Sequence, residues 1–334
     1  MTVSRIRTEI DFSADGKQVG WAHLPHSVHE SAYGVIAIPL AVIRNGEGPT
    51  ILLMAGNHGD EYEGQVALAK LIRRLEPGQI RGRVIILPAA NFPAAMAGKR
   101  TSPIDQGNLN RTFPGDPRGT PTWMLSHWIE TVLMEMADIV VDLHSGGSSL
   151  DYIPICMTRR FEDAAVTEAC VAAVQAFGAR YAVLMDLIGE DRTTFAAATR
   201  TRNRIVVGTE MAGKGTVGIE ALEIAETGVQ RLLQHFGIWQ GAPLVAMPTE
   251  PPTLLEVKGV EHYVYAPDAG VFESFVDLGA RVVAGQPAGQ VHFIDDPMRP
   301  PALAHFRGAG LVVCKRLPGR VVRGDCVFHL ASEV

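Results

Sequence analysis

The residues best suited to chemistry fall in four short segments. In PTILLMAGNHGDEYEGQ, an apolar run reaches Gly56, His58 and Glu61 follow, and a helical pattern then begins. His-x-x-Glu in the turn after a strand places an imidazole and a carboxylate in the crevice at the C-terminal edge of a sheet, where α/β folds bind ligands. A nitrogen and a carboxylate oxygen suit Zn²⁺, and a catalytic zinc needs a third protein ligand and an open position. His144 offers the third ligand. It closes the apolar run ADIVVDLH and is followed by Ser145, Gly146 and Gly147, so it too projects from a strand end into a turn.

Spacing alone is a weak guide in a chain with 11 histidines. His127 and Glu130 have the same separation, but they lie in an amphipathic stretch beside Trp128, where such a pair packs or faces solvent. His23, His26 and His29 recur every three residues, and Pro25 breaks any helix that would align them. They read as strand and loop residues.

The third segment, ANFPAAMAGKRTSPIDQGNLNRTFPGDP, has no periodicity, and a loop of this length inside a domain is usually functional. Arg111 presents a planar fork that matches a carboxylate, with Asn110 able to donate beside it. Arg100 can hold an oxyanion that develops next to a metal. Taken singly, each of these residues also fits an exposed surface. The fourth segment is NRIVVGTE, which ends in Glu210 ahead of the glycine-rich MAGKGTVG. A carboxylate beside a bound cation can take a proton from water and pass it to a leaving amine. Pairing with Lys214 in an exposed turn is the plainer alternative.

These residues need a scaffold, and the chain has the pattern for one. GVIAIPLAVI, PTILLMAG, RVIILPAA, ADIVVDLH, RYAVLMD and RIVVGTE read as strands, several of them apolar on consecutive residues as in a sheet covered on both faces. Leu125, Trp128, Ile129, Val132, Leu133 and Met136 follow a helical period across Trp123 to Ala137. Two further helices span Phe161 to Phe177 and Ile219 to Phe236, with Gly178 and Gly237 as stop signals. The alternation predicts a layered α/β domain over residues 1–242 with a mixed, largely parallel sheet. Pro243, Pro248, Pro251 and Pro252 mark a linker over 243–252. From 253 to 334 short β-rich runs and turn glycines predict a small all-β domain.

Composition narrows the function further. The 334 residues are 47% hydrophobic and 20% charged, as in globular proteins. With 30 Lys+Arg against 36 Asp+Glu the formal charge is −6, and there is no basic stripe for nucleic acid. The apolar runs are too short to span a membrane, and the start MTVSRIRTEIDF lacks a secretory layout. The four cysteines form no CxxC, which fits a reduced, cytoplasmic protein. A small-molecule substrate is expected, and the chain leaves room for a homo-oligomer.

Four motifs in this order carry a resemblance: His58-x-x-Glu61, NLNRTFPG around Asn110 and Arg111, DLH ending at His144, and GTE ending at Glu210. Over about residues 30–330 the chain resembles the succinylglutamate desuccinylase/aspartoacylase family, which is related to the zinc carboxypeptidases. The resemblance implies a zinc-carboxypeptidase-like three-layer domain with one zinc per chain, held by His58, Glu61 and His144. It implies Glu210 as general base and acid, and Asn110 and Arg111 on a substrate α-carboxylate. The activity implied is metal-dependent hydrolysis of a small N-acetylated amino acid. Aspartoacylase-type or carboxypeptidase chemistry, and an inactive binding module on the same fold, are the alternatives. A cationic substrate side chain would call for a carboxylate such as Glu190 or Asp191, whereas an anionic one would call for an extra arginine. Two departures stand out: the family's Asp-Leu-Asn-Arg is Asn108-Leu109-Asn110-Arg111 here, and the loop from Arg100 to Arg111 looks longer than in aspartoacylase. The tail is similar to the family's small β domain, with a lipoyl-carrier-like glycine rhythm but no lysine at a hairpin tip.

Overall fold

The fold is that of a computed structural model, which describes residues 3–186, 191–200 and 204–334. The N-terminal part comprises β1 (Gly16–Pro25), β2 (Val35–Asn45), β3 (Thr50–Ala55), α1 (Tyr62–Arg74), β4 (Gly82–Leu87), α2 (Phe92–Ala97), α3 (Pro121–Trp128), β5 (Ile139–His144), β6 (Leu150–Tyr152), β7 (Ile155–Arg159), α4 (Ala164–Phe177), β8 (Tyr181–Met185), α5 (Thr194–Arg200), β9 (Ile205–Glu210) and α6 (Ile219–His235). The C-terminal strands are β10 (Thr253–Val257), β11 (Tyr263–Tyr265), β12 (Gly270–Ser274), β13 (Pro287–His292), β14 (Ala302–His305), β15 (Gly310–Arg316) and β16 (Cys326–Glu333).

β4, β3, β5 and β9 lie side by side and run parallel. β2 and β1 extend one edge antiparallel. On the other edge β7 opposes β9, and β8 and β10 then run parallel to β7. β10 pairs antiparallel with β16, so the large sheet continues into the C-terminal strands. β12, β13 and β14 form a separate antiparallel sheet with Arg320–Val321. The predicted class, a mixed and largely parallel α/β sheet with a small β unit behind it, is the observed one.

The consecutive apolar residues of β3 explain the layers. Ile51 and Leu53 pack toward α1, α4 and α6, with Leu68, Phe177 and Leu232 in the same core. Leu52 and Met54 face the opposite core, with Leu125 and Trp128 of α3 and Ala197 of α5. Each such side chain contributes about 1.5–3 kcal/mol on burial. α4 starts at Asp163, whose side chain accepts the Ala165 N–H at 2.9 Å, and stops at Gly178 with φ +80°. The predicted helix beginning at Trp123 starts as α3 and continues as a π-helical turn over Ile129–Met134. No helix among the described residues is long and apolar enough to cross a membrane.

Candidate active site

Parallel register aligns the site. β5 and β9 are neighbours with His144 opposite Glu210, so both side chains stand at the same C-terminal edge. β3, on the other side of β5, ends at Ala55 opposite Leu143 and turns at Gly56 with φ +66°. The turn then presents His58, and Glu61 stands at the N-cap position of α1. Gly59 lets this turn lie against α2: a Cβ there would sit 2.0 Å from the Ala94 carbonyl carbon. Its N–H donates to the Lys99 carbonyl at 2.9 Å, which ties the turn to the residue before Arg100.

Both histidines aim Nδ1 at one carboxylate, His58 at Glu61 Oε1 (2.6 Å) and His144 at Glu61 Oε2 (2.8 Å). Donor atoms of the three residues lie within 4.8 Å of one another, the one such group among the described residues. The second ring nitrogens are also engaged. His58 Nε2 meets Asn108 Oδ1 at 3.1 Å, and His144 Nε2 meets Asp142 Oδ2 at 2.9 Å. An acceptor at Nε2 fixes the proton there and leaves the Nδ1 lone pair for a cation. Asn57 Nδ2 donates to Asp142 Oδ2 at 3.0 Å, and the Ser145 N–H donates to Glu61 Oε2 at 3.2 Å. Two imidazole nitrogens and a carboxylate, each oriented from behind, fit a zinc ion.

Charge and burial agree with that fit. Burial would raise the Glu61 carboxyl, but His58 and His144 outweigh it and hold the group well below the usual carboxylate range. Burial would lower His144, yet Asp142 and Glu61 on its two nitrogens raise it well above an ordinary histidine. Glu210 is pushed well above the usual carboxylate range, first by burial and next by Glu61, with His144 and Arg100 opposing. Its Oε2 is buried with no partner among the described atoms. Arg100 Nη1 lies 3.3 Å from His58 Nδ1 and 3.5 Å from Glu61 Oε1, against the same donor group.

Asn110 gives its oxygen to Thr194, accepting from the main-chain N–H at 2.9 Å and the hydroxyl at 3.2 Å. Its amide donors are therefore the end it can offer a ligand. Arg111 Nη1 donates to the Asn110 carbonyl at 2.7 Å. His58, Arg100, Asn110, Arg111, His144 and Glu210 all line one cavity of about 450 Å³, with Glu61 buried behind the two histidines.

His127 and Glu130 are elsewhere: both are buried in the helical layer, and Glu130 takes Arg200 through two bonds of 2.9 and 2.8 Å. His23 lies in β1, two strands beyond β4. Asp191 is exposed and off the cavity lining, and Glu190 lies outside the described residues. Sequence reasoning missed Asp142, although its position two residues before His144 on a strand was a legible signal. It treated Asn108 as a lost carboxylate, whereas the amide oxygen still serves as the acceptor behind His58. It also missed Tyr152, and the contribution of Tyr263, Tyr265 and His329 from the C-terminal strands to the cavity wall.

A layered α/β sheet carries a His-Glu-His donor set at the C-terminal edge of adjacent strands, positioned to bind a metal ion. A sequence model of the succinylglutamate desuccinylase/aspartoacylase catalytic domain matches residues 47–236. The chain belongs to that family and is a hydrolase acting on N-acyl amino acids. It is 41% identical over 331 residues to N-alpha-acetyl-L-2,4-diaminobutyric acid deacetylase of Halomonas elongata, covering 99% of this chain and 96% of the relative. The segments GNHGDEYEGQVAL, RTSPIDQGNLNRTFPG and DLHSGGSSLDYIP resemble the same enzyme. Among solved structures, a succinylglutamate desuccinylase/aspartoacylase from Rhodobacter sphaeroides has a TM-score of 0.93 at 40% identity and covers 99% of each chain. The product-bound ectoine utilization protein EutE (DoeB) from Ruegeria pomeroyi has a TM-score of 0.93 at 40% identity, covering 99% of this chain and all of the other.

Proposed function

We propose that this protein is a zinc-dependent deacetylase that removes the acetyl group from N-α-acetyl-L-2,4-diaminobutyrate, as in ectoine breakdown. The observation that carries the reading is the His58–Glu61–His144 donor set with Glu210 in register beside His144, in a chain 41% identical to the named deacetylase over almost its full length. His58, Glu61 and His144 would hold one zinc per chain. Zinc bound there supplies Lewis acidity, which polarises an amide carbonyl and acidifies water.

The protein's own groups do the rest. Arg111 and Asn110 grip the α-carboxylate and set the acetamide against the donor cluster. Glu210 takes the proton from the attacking water as the new C–O bond forms. Arg100 donates to the carbonyl oxygen as it gains negative charge. When the C–N bond breaks, Glu210 hands the proton to the departing amine, leaving acetate and diaminobutyrate. Burial suits Glu210 to this role, because it makes the protonated carboxyl a stable intermediate holder.

The cavity favours a cationic over an anionic substrate side chain. Arg100 and Arg111 are the arginines on its described lining, and both already have roles, so a second carboxylate would find no guanidinium of its own. The four free cysteines fit a reducing compartment, and we place the reaction in the cytoplasm. The test is hydrolysis of N-α-acetyl-diaminobutyrate, N-acetyl-aspartate and a dipeptide, side by side, by zinc-loaded protein. Preference for the first is expected. Preference for N-acetyl-aspartate or the dipeptide would overturn the assignment in favour of aspartoacylase or carboxypeptidase chemistry, and no hydrolysis of any would leave a binding module.

A further inference from the structure

The substrate proposed above carries a side-chain ammonium, and the carboxylates among the described lining residues do not account for it. Asp142 is committed to His144, and Glu210 to proton transfer. Asp186 also lines the cavity, but strand register places it at the far end. Glu210 is level with Ile155, Ile155 is level with Tyr181, and Asp186 lies five residues further along. At the rise of a strand that is about 16 Å. Five bonds separate the acetyl carbonyl carbon from the side-chain nitrogen, a reach of about 6 Å. Asp186 is therefore out of range, and it faces Arg160 at 3.4 Å.

What does stand near Glu210 is aromatic. The Tyr152 N–H donates to the Ala212 carbonyl at 3.0 Å, two residues past Glu210. From Tyr152 a single row crosses four adjacent strands: Tyr152 on β6 is opposite Cys314 on β15, Cys314 is opposite His329 on β16, and His329 is opposite Tyr263 on β11. The His329 and Tyr263 rings stack at 4.4 Å and 8°, and Tyr152 meets His329 edge-on at 6.5 Å. All three rings line the cavity.

We propose that the row Tyr152–His329–Tyr263 is the subsite for the substrate's side-chain ammonium, read by these electron-rich rings rather than by a described carboxylate. This inference rests on the function proposed above. A ring quadrupole attracts an ammonium most strongly where water is excluded. The row also adds no positive charge, since burial, and next His262, hold His329 neutral down to about 3. The cavity thus offers the Arg111 guanidinium to the α-carboxylate, the Arg100 guanidinium to the carbonyl oxygen, and an uncharged aromatic wall to the ammonium. In this arrangement the C-terminal strands contribute side-chain selectivity.

The test is calorimetric binding of free L-2,4-diaminobutyrate and L-2-aminopentanoate to the zinc-loaded protein. The second compound has a methyl in place of the ammonium. Wild type should prefer diaminobutyrate by about tenfold or more. Tyr263→Leu and Tyr152→Leu should reduce that preference to within about twofold, while Tyr263→Phe should keep it. Far-UV circular dichroism and zinc content report that each variant is folded, and if Tyr152→Leu does not fold, the Tyr263 pair decides. An unchanged preference in Tyr263→Leu, or none in wild type, would overturn the subsite. Failure of wild type to hydrolyse N-α-acetyl-diaminobutyrate would count against the function alone, because the binding comparison is read without turnover.

Discussion

Histidine Nδ1 atoms face Glu61 because something else holds each Nε2. For His144 the holder is a carboxylate, Asp142, and for His58 it is the neutral amide of Asn108. The two imidazoles are thus unequally supported, and His144 is the more basic of the pair. Glu210 sits beside this cluster without bonding to it. In the proposed mechanism, replacing it with glutamine removes the proton acceptor and leaves His58, Glu61 and His144 unchanged as the proposed metal donors. Glu210→Gln should keep its zinc and its affinity for diaminobutyrate while kcat falls on the order of 10²–10⁴-fold. Near-normal turnover by the metal-loaded variant would exclude the role.

Elements deliver these residues through close backbone approach as much as through side chains. The His58 turn can lie on α2 only because position 59 has no Cβ, and the atoms a Cβ would meet are main chain and cannot swing aside. Gly59→Ala should cost about 1–3 kcal/mol. In a chain of this size that lowers Tm by several degrees, and zinc affinity should weaken as the turn shifts. Gly78→Ala, where a Cβ meets nothing within 4 Å, should leave both unchanged. Melting curves and metal titrations of the two variants check this. The strands that end in Ala55, His144 and Glu210 were legible because burial on both faces writes an unbroken apolar run. β1 was not, because its GKQVGWAHLP is interrupted by glycine and leaves Val19 and Trp21 exposed. The residues of the donor set were readable from two short segments, the turn after β3 and the end of β5. The aromatic row was not readable, since it depends on pairing Tyr152 with Cys314 and Tyr263 with His329 across long stretches of chain.

At the scale of the whole molecule, the catalytic sheet and the C-terminal strands share an edge, and β10 stands between β8 and β16. His329 lies buried in that junction, against Tyr152, Tyr263 and His262, with its pKa lowered to about 3 from 6.5. The unfolded chain takes up a proton near 6.5 and the fold does not, so this contribution is intact above that pH and is lost as pH falls from about 6.5 toward 3. Tm measured from pH 7.5 to 5 should fall less steeply for His329→Gln than for wild type, and equal slopes would contradict the neutral buried state. The central claim, a zinc site made by one strand end and the turn leading into α1, has a more direct test in metal content per chain. Purified protein should hold about one zinc. His58→Ala and His144→Ala should each hold almost none, because two remaining ligands bind zinc poorly, while His127→Ala should keep it. Stoichiometric zinc in both His58→Ala and His144→Ala would contradict the account.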